Sequence, residues 1–244
     1  MKVYTYYDDI GHELQQEMID LWKRSWRNNG FTPIVLNYQS VTEHPLLKHY
    51  EDIIQETNVT LTGREISKYG MSCWYRWLAY SLLSDSDTSV YTCDYDVINI
   101  NFSTNHKPIA SLHFMDNRCP CLVSGTPSQF AKFCDLVIEI CKTHAHDVKR
   151  SFDALPQCRN LHDQDFLICA SATIFPGFIP GRNEVYTTSR NNLAMQLSPR
   201  CHVAPYTQHD HNTKLIHFSH SRCGTNENRI KYIKETLDHD RSQE

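Results

Sequence analysis

Ser89-Val90-Tyr91-Thr92-Cys93-Asp94-Tyr95-Asp96-Val97-Ile98-Asn99 decides the reading of this chain of 244 residues. The β-branched and aromatic run before Asp94 predicts a short buried strand. It delivers two aspartates, one residue apart, at the strand's C-terminal end. In an open α/β sheet, ligands bind outside the carboxyl ends of the strands. Two carboxylates placed there can hold a divalent cation, and the cation can hold phosphate oxygens. The pattern alone says little, because Asp85/Asp87, Asp163/Asp165 and Asp238/Asp240 repeat it. Only Asp94/Asp96 ends a strand, so the position carries the signal. The bland alternative is a solvated turn, with Tyr95 sent to the opposite face by strand alternation and packed into the core.

Working outward, residues 3–7 predict a first strand. Leu14, Met18, Leu21, Trp22 and Trp26 recur at helical spacing and predict an amphipathic helix over 12–28. Asn28-Asn29-Gly30 stops it, and residues 33–36 form a second strand. This β-α-β opening favours a parallel sheet with a right-handed crossover. A helix is expected around 46–55. A stronger one spans 65–84, with Met71, Trp74, Leu78 and Leu82 on one stripe and Lys68, Ser72 and Arg76 sharing another face. Strands follow at 109–114 and 122–124, then a helix marked by Phe130, Phe133, Cys134, Val137, Ile138 and Cys141. Beyond 150 the pattern loosens. A helix is expected over 162–170, a loop around Pro176-Gly177 and Pro180-Gly181, a strand over 214–218, a polar helix over 226–237 and a frayed tail, 238–244.

Hydrophobic residues make up 40% of the chain and charged residues 21%, which suits a soluble globular domain with ample length for a core. A net charge of −4 provides no basic footprint, so nucleic acid is not the expected partner. No apolar run reaches the ~20 residues that span a bilayer. The apolar start is too short for a signal peptide and acidic residues follow it, so the expected compartment is cytoplasmic. There the ten cysteines are expected as thiols, and the sequons at Asn58 and Asn101 carry no glycan. The clustered histidines His209, His211, His217 and His220 lack the Cys pairs or His-Glu-x-x-His helix of a zinc site. No Gly-x-Ser-x-Gly, Walker A or Gly-x-Gly-x-x-Gly fingerprint is present.

Three segments carry a family resemblance. Lys68, Arg76 and Leu78 followed by Val90-Tyr91-Thr92-Cys93-Asp94-Tyr95-Asp96-Val97 resemble the sugar-nucleotide-binding segment of GT-A glycosyltransferases of the glycogenin-like and capsular-polysaccharide types. Leu161-His162-Asp163-Gln164-Asp165-Phe166-Leu167 is similar to the Asp-Gln-Asp or Asn-Asp-Gln segment that opens a helix beneath the acceptor site. Ile216-His217-Phe218-Ser219-His220-Ser221-Arg222 resembles the C-terminal His-Phe segment of these enzymes. It departs from the pattern at His220, which stands where Gly is expected, and in lacking the Lys-Pro-Trp that follows.

The resemblance implies a GT-A-like fold: a mostly parallel central sheet flanked by helices, in one domain over 1–237. Residues 1–105 would be the nucleotide-sugar and metal-binding half and 106–237 the acceptor half. It implies a glycosyltransferase using Mn²⁺ or Mg²⁺ and a nucleotide-diphosphate sugar, with a glycan or other hydroxyl acceptor. Asp96, Asp94 and His217 would hold the metal. Lys68 and Arg76 would face the donor or brace the aspartates, and Arg222 would take over the phosphate contact. Tyr7 would stack on the base and Asp8 or Asp9 accept from its edge. Asp163 or Asp165 would contact the acceptor or act as base; near a helix N-terminus, Asp163 also reads simply as a cap. The alternatives are a non-catalytic GT-A-like domain that binds a glycan or protein, and a sugar nucleotidyltransferase. The latter normally needs a Gly-rich basic loop after the first strand, for which Asp8-Asp9-Ile10-Gly11 is a poor substitute.

Overall fold

The computed structural model describes residues 1–11, 13–84, 88–116, 119–155, 161–169, 187–188, 195–197, 213–219 and 223–241. Its strands are β1 (Lys2–Tyr6), β2 (Thr32–Leu36), β3 (Val90–Cys93), β4 (Val97–Asn99), β5 (His113–Asp116), β6 (Cys119–Gly125), β7 (Thr187–Thr188), β8 (Met195–Leu197) and β9 (Leu215–His217). Its helices are α1 (Gln15–Asn28), α2 (Leu47–Thr62), α3 (Lys68–Ser81), α4 (Pro127–Thr143), α5 (Ala145–Ala154), α6 (Asp163–Cys169) and α7 (Asn226–Arg241).

The main sheet has the order β2-β1-β3-β6-β5-β7. β1 runs parallel to β2 and β3; β6 opposes both β3 and β5, and β5 runs parallel to β7. Five strands therefore point one way and β6 alone runs back, the mostly parallel sheet expected from the β-α-β opening. A second sheet, β4-β9-β8, continues from the end of β3.

Both faces of the main sheet are covered, and strand alternation divides the residues between them. Val3, Tyr91 and Cys93 join Met18, Trp22 and Trp26 of α1 and Ile230 and Ile233 of α7 in one core. Tyr4 and Tyr6 join Trp74 and Trp77 of α3, Ile54 of α2 and Phe130, Phe133 and Val137 of α4 in the other. The chain leaves β1 toward β2 through α1 on one face and reaches β3 through α2 and α3 on the other. Strand order thus reverses at β1, and this places a crevice at the carboxyl ends of β1 and β3.

Several boundaries differ from the sequence reading for identifiable reasons. α1 begins at Gln15 rather than 12 because Gly11 and Leu14 take left-handed backbone angles, φ +83° and +66°. α2 runs to Thr62, where Gly63 at φ +70° ends it. The expected strand at 109–114 is confined to His113–Asp116, whereas that at 122–124 widens to Cys119–Gly125. α5 was not anticipated, since Val148 and Phe152 give it a single apolar pair. The loop around 176–181 lies outside the described residues. Cys73, Cys93, Cys121, Cys134, Cys141, Cys169 and Cys223 are free thiols. No helix among the described residues is long and apolar enough to cross a membrane. Asn58, the first sequon, is buried; its amide donates to the Arg64 carbonyl at 2.8 Å and accepts from the Leu161 N–H at 3.0 Å.

α3 approaches the 161–163 segment closely at Gly70. A Cβ there would stand 2.8 Å from Ile66 Cγ1 and 3.3 Å from His162 Cδ2. Gly70→Ala is therefore predicted to cost about 1–3 kcal/mol by overpacking, despite Ala being the better helix former. Chemical denaturation measures it, and an unchanged or raised stability would contradict this packing.

Candidate active site

The crevice is a cavity of about 700 Å³. Its walls come from the end of β1 (Tyr6, Tyr7, Asp8), the turn after β3 (Asp94, Tyr95, Asp96), α3 (Tyr69, Ser72, Cys73, Arg76), the start of α6 (His162, Asp163, Gln164), the end of β9 (His217, Ser219) and the start of α7 (Thr225, Asn226, Arg229).

The Asp94–Asp96 stretch is a tight turn joining the two sheets. The Val97 N–H donates to the Asp94 carbonyl at 3.0 Å, and the Asp94 N–H to that of Cys121 at 3.0 Å. Because β3 ends at Cys93, strand alternation no longer governs Tyr95. Its half-buried ring packs against the edge of the α1 core and lines the cavity, meeting Tyr7 edge-on at 5.8 Å, and its hydroxyl accepts from Gln15 Nε2 at 2.9 Å. Antiparallel pairing of β4 with β9 sets His217 opposite Val97, next to Asp96. One ligand-capable atom each of Asp94, Asp96 and His217 lies within 4.8 Å of the other two.

Buried charge is balanced through two arginines. Arg76 reaches from α3 between two carboxylates: its Nη1 pairs with Asp94, and its Nε and Nη2 with Asp163 Oδ2, the Nε contact at 2.7 Å. Asp163 is 2% exposed and accepts further from Trp77 Nε1 at 2.9 Å and the Gln164 N–H at 2.8 Å. Both of its oxygens are thereby engaged. Burial raises the pKa of Asp94, with Arg76 opposing the rise.

Asp96 is 7% exposed, and its Oδ2 takes the Nη2 of Arg229, a residue of the polar helix α7 that the sequence reading did not single out. Its Oδ1 has no hydrogen-bond partner and lies 3.5 Å from His217 Nε2. Burial alone would push Asp96 up, yet His217 and Arg229 outweigh it and hold the pKa at about 2. A signal for Arg229 existed: it stands four residues before Ile233 and seven before the buried Thr236, on one helical stripe.

All four tryptophans are fully buried, and each gives its indole N–H to one of the two segments that carry the aspartates. Trp22 donates to Cys93 Sγ at 3.3 Å and Trp26 to the Val97 carbonyl at 3.1 Å, bracketing the Asp94–Asp96 turn. Trp74 donates to the Leu161 carbonyl at 2.7 Å and Trp77 to Asp163. Buried indoles need such partners, and here they fix the loops to α1 and α3.

Of the other expected residues, Tyr7 and Asp8 line the cavity. Asp8 is already occupied: it accepts from the Tyr6 hydroxyl at 2.8 Å, the Ser72 hydroxyl at 2.8 Å and the Tyr38 N–H at 2.7 Å. Lys68 is exposed at the start of α3, and neither it nor the half-buried Asp165 contributes to the cavity wall. Arg222, His209, His211 and His220 lie outside the described residues.

No protein-family model and no curated protein sequence matches the chain. Among solved structures it is similar to an active-site mutant of LgtC, with 10% identity and a TM-score of 0.47 over 98% of this chain and 96% of that one. It is also similar to the apo-form glycosyltransferase GlyE of Streptococcus pneumoniae TIGR4, with 10% identity and a TM-score of 0.45 over 99% of this chain and 63% of that one.

Removing a buried ion-pair partner leaves an uncompensated charge and costs about 3–5 kcal/mol. Arg76→Met is thus predicted to lower the melting temperature by about 10 °C, at roughly 2–4 °C per kcal/mol for a chain of this size. Trp77→Phe, which removes one hydrogen bond to a charged acceptor, should cost about 1.5–3 kcal/mol. Thermal and urea unfolding of both variants check this; an Arg76→Met protein melting with the wild type would contradict the pairing.

Proposed function

We propose that the chain is a metal-dependent glycosyltransferase, moving a sugar from a nucleotide-diphosphate donor to an acceptor hydroxyl. One observation carries the reading: two carboxylates and an imidazole converge at the carboxyl end of β3, with a buried Asp96 oxygen aimed at His217 and lacking a hydrogen bond. An unmade hydrogen bond on a buried charged oxygen is costly, and a cation would satisfy it. Carboxylate and imidazole donors suit Mn²⁺, and the carboxylates also suit Mg²⁺. When bound, the ion would neutralise charge developing on the leaving diphosphate.

Asp94, Asp96 and His217 would hold the ion, and Arg76 keeps Asp94 aligned. Tyr7 and Tyr95 form an aromatic wall suited to a nucleobase, and Asp8 fixes the loops around it. Residues 1–105 would form most of the donor half and 106–237 the acceptor half, the latter lending His217 to the metal. Since Asp163 is committed to Arg76 and Trp77, a proton taken from the acceptor falls to another group. His162, half-buried on the cavity wall beside Asp163, is the other titratable side chain of that segment that lines it.

The Arg229–Asp96 pair is the feature that favours the non-catalytic alternative, a glycan- or protein-binding domain, because a carboxylate with a built-in counter-ion can do without a metal. Melting curves with UDP, GDP, CDP and dTDP, each with and without Mn²⁺, separate the two. Ligand binding to the folded state raises stability by mass action, about 2.7 kcal/mol at a hundredfold excess over Kd. The glycosyltransferase reading predicts a Mn²⁺-dependent rise with one diphosphate that is absent from Asp96→Asn, together with turnover of the matching sugar nucleotide. A shift independent of Mn²⁺ and retained in Asp96→Asn would support the binding domain instead.

A further inference from the structure

Arg229 is 5% exposed, and its guanidinium is fixed at three points. Nε donates to the Phe218 carbonyl at 2.9 Å, Nη1 to Asn226 Oδ1 at 3.2 Å, and Nη2 pairs with Asp96 Oδ2. The Phe218 N–H in turn donates to the Asp96 carbonyl at 2.9 Å. Asp96, Phe218 and Arg229 therefore close a ring in which Asp96 is held at its backbone by the residue that follows β9 and at its side chain by α7.

We infer that Arg229 is a positioning residue for the cation site: by taking Oδ2 it turns the free Oδ1 of Asp96 toward His217 and ties the C-terminal helix to metal binding. The inference rests on the metal-site reading above. Its competitor is that Arg229 plugs the site and must leave before a cation enters. The anchors on Phe218 and Asn226 argue against a plug, because they hold the guanidinium wherever Asp96 goes. The division of the two oxygens argues against it too, since the oxygen facing His217 is the one Arg229 does not use. Residues that orient metal ligands commonly account for 10–100-fold in affinity.

The test is Mn²⁺ binding to the full chain without nucleotide, followed by electron paramagnetic resonance, for wild type, Arg229→Lys and Arg229→Gln, with circular dichroism to establish folding. Arg229→Gln should weaken Mn²⁺ by about 10–100-fold and change the spectrum of the bound ion. Arg229→Lys, which keeps the charge but loses the fork, should recover part of the affinity; it carries the test alone if the Gln variant does not fold. Unchanged binding in the folded variants would overturn the inference while leaving the metal site standing. Tighter binding in either variant would overturn it in favour of the plug. Wild type that binds no Mn²⁺ would overturn the inference and the metal reading together.

Discussion

One buried guanidinium sets the arrangement of this site. Arg76 stands between Asp94, at the end of β3, and Asp163, at the start of α6, segments with no covalent proximity. Neither carboxylate could be withdrawn from water there without a cation, because desolvating an unpaired charge costs more than burial of its neighbours returns. The guanidinium suits the task because its donors form a rigid fork that meets both carboxylates at once. Trp77, one residue along α3, adds its N–H to the same Asp163 oxygen. α3 thus carries the cation, the indole donor and, through Trp74, the tie to Leu161.

The same logic recurs on the other side of the turn. Asp96 is balanced by Arg229 from α7, and α1 pins the residues on either side through Trp22 and Trp26. The Asp94–Asp96 turn is therefore held from both faces of the main sheet and sits where that sheet hands over to the smaller one. Among the described residues that line the crevice, this accounting still leaves one oxygen of Asp96, facing His217, and Gln15 Oε1 without a hydrogen bond. A carboxylate oxygen left unmet while its neighbours are held in place is what a preorganised ion site requires.

The parts legible in the sequence are those written in local periodicity. β1, α1, β2, α3 and β3 announce themselves through alternation or the 3.6-residue stripe; Asp94 and Asp96 were reached by asking which aspartates end a strand, and His217 through the resemblance of its His-Phe segment. The parts that were not legible depend on partners far apart in the chain. Arg76 and Asp163 are 87 residues apart, so nothing near Asp163 distinguishes a buried brace from a helix cap or a base. β4 was hidden because residues 97–99 look like a continuation of β3, when the turn at 94–96 in fact transfers the chain to another sheet. Arg229 lies in a helix that also carries the exposed Lys231 and Lys234, and composition alone does not separate them.

The central claim is that Asp94, Asp96 and His217 form a cation site at the floor of the crevice. Anomalous diffraction at the manganese edge, from crystals grown with Mn²⁺ and a nucleoside diphosphate, tests it most directly. The account predicts one strong peak bonded to Asp96 Oδ1 and His217 Nε2, with the diphosphate on its open side and Arg229 still on Asp96 Oδ2. A crevice without a peak, or a peak confined to the histidines at 209 and 211, would contradict it.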